Sequence, residues 1–155
     1  MLDLVNGLPL HPLVVHAVVV LLPLAILGTI AIAVRPRWRR PYGPLVIAAA
    51  AVSALLIPVA TSSGEALERH VGDPGKHAQL GDQLIWFAIP LLLLDIALVV
   101  LDRRGSASAR HGGSRTLVTV AVLSVVAALA AGVQVYRVGD SGARAAWGDQ
   151  VSAKR

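Results

Sequence analysis

Charged residues in this chain come in short clusters, and the stretches between them are apolar at almost every position. Residues 12–34, 43–63 and 116–136 contain no Asp, Glu, Lys or Arg, and residues 83–101 contain one, Asp95. A transmembrane helix needs about 20 predominantly apolar residues, whereas a surface helix of a soluble protein keeps a polar face. These runs therefore predict four membrane spans. Their connections are short, so successive helices run antiparallel. The expected architecture is all-α: a single transmembrane domain over residues 1–155, folded as an integral membrane up-down four-helix bundle.

Charge orients the bundle. The connection 35–42, RPRWRRPY, has four arginines, and the connection 102–115, DRRGSASARHGGSR, has four more. The N-terminal stretch has none, and the loop 64–82 has only Arg69 and Lys76. Arginine-rich short loops stay cytoplasmic. Both termini, the loop 64–82 and the tail 137–155 are then expected on the outer side, despite Arg137, Arg144, Lys154 and Arg155 in that tail. Trp38 and Tyr42 mark the inner boundary, and Trp86 and Tyr136 the outer one, as interfacial aromatics do. This placement accounts for the net charge of +5 without a nucleic-acid partner. The partner it implies is the lipid bilayer, and the location is the inner (cytoplasmic) membrane. MLDLVNGLPLH lacks a basic n-region, so the first span is not expected to be a cleaved signal peptide. The absence of cysteine excludes disulfides, thiolate metal sites and cysteine nucleophiles.

Local features refine the spans. Pro12 suits a first helical position, and Pro23, Pro58 and Pro90 fall inside spans, where proline kinks a helix and frees a carbonyl. Ser124, Ala128 and Gly132 form a small-residue seam of the kind that lets helices approach closely. Asp73 and Pro74 offer an N-cap and first helical residue for a third helix that starts before the membrane. On that helix His77, Gly81, Leu84, Ala88 and Asp95 share a face. The tail after Tyr136 reads as a short extramembrane cap and 105–114 as a flexible connector. No internal repeat stands out.

The candidate chemistry lies in the histidines. His11, His16, His70 and His77 fall on one expected side of the membrane, and His111 falls in a cytoplasmic loop. His11 and His16 are five apart and point about 140° away from each other on a helix, so they cannot chelate as an adjacent pair. His16 lies about 6 Å deeper than Pro12 and is expected to face the bundle interior, because a lipid-facing polar group is costly. Three uses stay open. His16 and His77 suit axial ligation of a haem b. His11, His16 and His77, with Glu65 or Asp82 supplying oxygen, suit zinc or copper. Without any cofactor, the same histidines would close helix ends by hydrogen bonding. Asp95 is the one ionisable carboxyl inside a span. It reads either as a proton-relay group or as a helix-pairing group facing the bundle or meeting Arg35 or Arg103. GDSG at 139–142 and HGG at 111–113 resemble hydrolase loops but lack a nucleophile–base constellation, and there is no GxGxxG or P-loop.

GLPLHPLVVHAVVVLLPLA, TSSGEALERHVGD, HAQLGDQL and YRVGDSGARAAWG resemble the bacterial membrane proteins of domain of unknown function family 2231 over nearly the whole chain, HPLVVH being the most specific part. The resemblance implies a four-span bundle and sets His11, His16, Gly64, Glu65 and His77 at matched positions. The family's Phe-Pro after the second histidine is Ala17-Val18 here. Some relatives carry a fused Rieske iron–sulfur domain, which implies electron transfer and a respiratory-chain or iron–sulfur membrane partner.

The combined expectation is a histidine site on the outer face, built from His11, His16 and His77 with Glu65 and Asp82 orienting the imidazoles, that holds haem or a metal ion for electron transfer. The alternatives are a cofactor-free accessory or scaffold subunit, then a small-solute or ion transporter. A homo-oligomer is compatible with each.

Overall fold

A computed structural model of the chain describes residues 4–5, 8–71, 75–105 and 113–152, with side chains for 11–68, 75–105 and 115–147. A two-residue antiparallel pairing, Leu4–Val5 with Leu8–Pro9, precedes the first helix. The apolar runs form α1 (Leu10–Val34), α2 (Arg39–Val71), α4 (Ile85–Gly105) and α5 (Gly113–Ser152), with a short α3 (Lys76–Gln83) leading into α4. α1 packs on α2 and α5, α4 packs on the same two helices, and α1 and α4 meet across the diagonal. This is the expected all-α up-down bundle, with four helices long and apolar enough to cross a membrane.

Each helix turns one narrow stripe inward and leaves apolar side chains outward. In α1 the stripe is Val14, Val18, Leu22, Ala25, Thr29 and Ile32, spaced by three or four as a helical face requires. Leu24, Leu27, Leu45, Leu55, Leu93 and Val133 are all more than half exposed. In water such a surface would drive association; against lipid it is the ordinary exterior. Trp86 and Tyr136 are likewise exposed. The expected face of the third span is the inward one, with Leu84, Ala88, Leu91 and Asp95 buried and Pro90 contained within α4. The seam on α5 is shifted slightly: Ser124, Ala128 and Ala131 are buried, and Gly132 is half-buried.

The connections and the tail are more helical than the charge pattern suggests. The arginine-rich connection is largely helical, because a 3-10 turn at Pro36–Trp38 passes directly into α2. The tail is helical, because α5 continues to Ser152 and keeps its backbone groups paired within the helix. Asp73 and Pro74 lie outside the described residues, and α3 starts after Gly75, whose φ of 61° is a left-handed conformation that glycine adopts without strain.

α3 and α4 are separated by a tightened turn at Leu84. The Leu84 N–H donates to the Gly81 carbonyl at 3.0 Å instead of reaching Leu80. The Leu80 carbonyl is thereby freed, and Gln134 Nε2 on α5 donates to it at 2.9 Å. An unpaired carbonyl inside lipid costs free energy, so this buried glutamine makes the break tolerable.

Candidate functional site

The first turns of α1 and α3 each carry a histidine, at the second helical residue, that leans on the helix beside it. His11 Nδ1–H donates to the Ala60 carbonyl on α2 at 2.9 Å and lies 3.3 Å from Ser63 Oγ. Ser63 Oγ donates to the same carbonyl at 3.0 Å. The ring rests on Gly64, where an added Cβ would meet His11 Cε1 at 3.1 Å. His77 Nδ1–H donates to the Val138 carbonyl on α5 at 3.1 Å, and Ser141 Oγ donates to that carbonyl at 2.9 Å. Here the ring rests on Gly142, where a Cβ would meet it at 3.0 Å. Both joints consist of a carbonyl, a serine three residues on, a glycine four residues on, and a histidine from the neighbouring helix.

The correspondence extends through the bundle. Val18, Leu22, Ala25, Thr29, Ile32 and Ala33 are buried on α1; 66 residues later Leu84, Ala88, Leu91, Asp95, Leu98 and Val99 are buried at the end of α3 and on α4. His11 and His77 obey the same shift, as do His16 and Asp82. On the second helices Ala60, Ser63 and Gly64 match Val138, Ser141 and Gly142 with a shift of 78. The chain is two helical hairpins on one plan, contrary to the expectation of no repeat. The shared signal is a pattern of burial and a few small polar residues, hidden among apolar positions that look alike.

His16 is exposed on the outer surface of α1, and its Nδ1–H donates to the Pro12 carbonyl one turn back. The expectation that it faces the interior is corrected. The inward stripe passes through Val14 and Val18, and His16 lies two residues from each, about 200° around the helix. Its polar edge is satisfied by its own backbone. Glu65 and Asp82, expected to orient imidazoles, are exposed; backbone carbonyls hold all three Nδ1 atoms instead. Among the described residues no three of His, Asp and Glu gather closely enough to hold a metal ion. The side chain of His70, and His111 altogether, lie outside the described residues.

Asp95 is fully buried, and it meets a threonine instead of Arg35 or Arg103. Thr29 Oγ1 lies 2.9 Å from Asp95 Oδ2. Arg35 sits over the Trp38 ring at 4.9 Å, and Arg103 is exposed. A different arginine, expected only as loop charge, is engaged in the fold. Arg39 is 4% exposed; its Nε and Nη2 donate to the Ile32 and Ala33 carbonyls at 3.0 and 3.1 Å, and its Nη1 pairs with Asp102 at 3.2 Å. It satisfies carbonyls that the C-terminus of α1 leaves without partners and links α2 to α4. The GDSG lookalike also acquires a role, because its Ser141 and Gly142 form the His77 joint.

Fold and joints together define a four-helix membrane bundle assembled from two equivalent hairpins. The chain belongs to the DUF2231 family, described as predicted membrane proteins, whose profile matches residues 7–155. Comparisons with curated proteins and with solved structures give no match.

Proposed function

We propose that the end of the bundle carrying His11, His16 and His77 binds a haem through imidazole nitrogen and serves electron transfer in the membrane. The observation that carries this reading is the common state of the three rings. Each Nδ1 donates to a backbone carbonyl, so each neutral ring keeps its lone pair on Nε2, the arrangement by which a hydrogen bond at one nitrogen prepares the other for a metal. Haem fits this donor set better than zinc or copper. Haem iron takes one or two axial imidazoles, whereas zinc takes three or four protein donors, and no such group gathers among the described residues. A bound haem would supply one-electron chemistry; the chain's own contribution is to fix tautomer and ring orientation. The positive-inside rule puts the arginine-rich connections in the cytoplasm, and hence this end outside, facing a respiratory-chain or iron–sulfur partner.

The visible spectrum of the purified protein tests the reading. A Soret band that is lost in His16→Ala or His77→Ala supports it. A colourless protein with no transition metal by elemental analysis overturns it. The second reading, a cofactor-free accessory subunit, is supported by the seating of His11 and His77 on Gly64 and Gly142, because the same hydrogen bonds tie neighbouring helices together.

A further inference from the structure

The repeat places a polar contact where the two hairpins meet. Thr29 and Asp95 are equivalent positions, 66 residues apart, and they touch across the diagonal between α1 and α4. Both are fully buried. The protons in this contact can be counted. Thr29 Oγ1 lies 2.8 Å from the Ala25 carbonyl oxygen and 2.9 Å from Asp95 Oδ2. A threonine hydroxyl has one proton to donate. With an ionised Asp95, that single proton must be shared between two acceptors, and the two short contacts do not each have a full hydrogen bond. A neutral carboxyl supplies the missing proton: Asp95 Oδ2–H donates to Thr29 Oγ1, and Thr29 Oγ1–H donates to Ala25.

The other carboxyl oxygen agrees. Asp95 Oδ1 is buried and has no hydrogen-bond partner among the described residues. An unpaired neutral oxygen costs a little in apolar surroundings, and an uncompensated charge costs far more. The ionisable side chains in 12–34, 43–63, 83–101 and 116–136 are His16, Asp95 and Tyr136, and His16 and Tyr136 are exposed on the outside. From α2, buried Ser53 donates to Ala49; from α5, buried Ser124 donates to Val120. Further along α4, Asp102 is paired with Arg39, about 10 Å beyond Asp95 at the rise of a helix.

We propose that Asp95 is a proton-binding site at the centre of the two hairpins, with the proton held on Oδ2 and donated to Thr29. A bound proton ties α4 to α1. Its release leaves a negative charge in the core that no described side chain neutralises, so proton binding is coupled to the packing of one hairpin on the other. Infrared spectra of the purified protein in lipid vesicles at neutral pH test this through the C=O stretch of a protonated carboxylic acid, which is separate from the carboxylate bands. The expected result is a band present in the wild type, absent in Asp95→Asn, and shifted in Thr29→Val, which removes the acceptor. The Asn amide can still donate to Thr29, so assembly is expected to survive. No such band in the wild type, or the same band unchanged in both variants, overturns the proposal. Should Asp95→Asn fail to assemble, Thr29→Val alone decides: a shifted band supports the site and an unshifted one refutes it.

Discussion

The first hairpin, α1 with α2, and the second, α3–α4 with α5, close their histidine ends alike and differ where the helices enter the core. α1 runs unbroken through Val18, whereas at the equivalent Leu84 the second hairpin changes from α3 to α4. The carbonyl freed there is taken by Gln134, and the residue of α2 equivalent to Gln134 is Leu56, which has no donor to offer. A break in a membrane helix is thus permitted where the facing helix supplies a hydrogen bond. The first hairpin has its own addition: Arg39 caps α1 and pairs with Asp102, while the equivalent residue of α5 is Leu117.

This comparison can be broken or sharpened by substitution, with thermal unfolding measured in one fixed lipid or detergent. The largest loss is expected for Arg39→Leu. It removes the buried guanidinium from Asp102 Oδ1 and from two terminal carbonyls, leaving the carboxylate the exposed Arg40 at 3.9 Å, and removing one member of a largely buried pair costs about 3 kcal/mol; an unchanged midpoint would mean that the arginine link is incidental. Next come Gly64→Val and Gly142→Val. Each drives side-chain atoms into a histidine ring, at about 1–3 kcal/mol for overpacking. Equal losses, each partly recovered by adding His11→Ala or His77→Ala respectively, support equivalent joints; a loss in one hairpin alone breaks the equivalence. Gln134→Leu copies the first hairpin into the second and leaves the Leu80 carbonyl unpaired, a cost on the order of 1 kcal/mol. Faster amide hydrogen exchange near Leu84 should accompany it, and unchanged exchange would show that the glutamine does not hold the break. His16→Ala should be smallest, within about 0.5 kcal/mol as for other outward substitutions, while abolishing any Soret band.

The spans were legible because a charge-free run of that length has few other uses, and their antiparallel order followed from short connections. The phase of each helix was less legible. Around His16 nearly every position is apolar, so composition cannot distinguish the inward stripe from the lipid-facing side, and the cost of exposing an imidazole to lipid points to the wrong face. Asp95 was recognisable as a costly residue, but its partner was not, because Thr29 is one of several small polar residues with no mark of their own. Arg39 was hidden for the opposite reason: it is one of four neighbouring arginines, and only the end of α1 selects it. Ser63-Gly64 and Ser141-Gly142 recur in the sequence, yet two residues are too few to reveal a repeat until His11 and His77 are seen resting on them.

The sequence alone determined the number of spans, the all-helical class and the membrane environment, since these follow from how far the chain runs without charge and from the need to pair every backbone group in lipid. Tertiary structure decided which face of each helix turns inward, and therefore that His16 points out, that Asp95 meets Thr29, and that two histidines close matching joints. An apolar helix in lipid has no polar side to orient it. Its rotation is set by packing against its neighbours, where small residues and a few hydrogen bonds choose the contact.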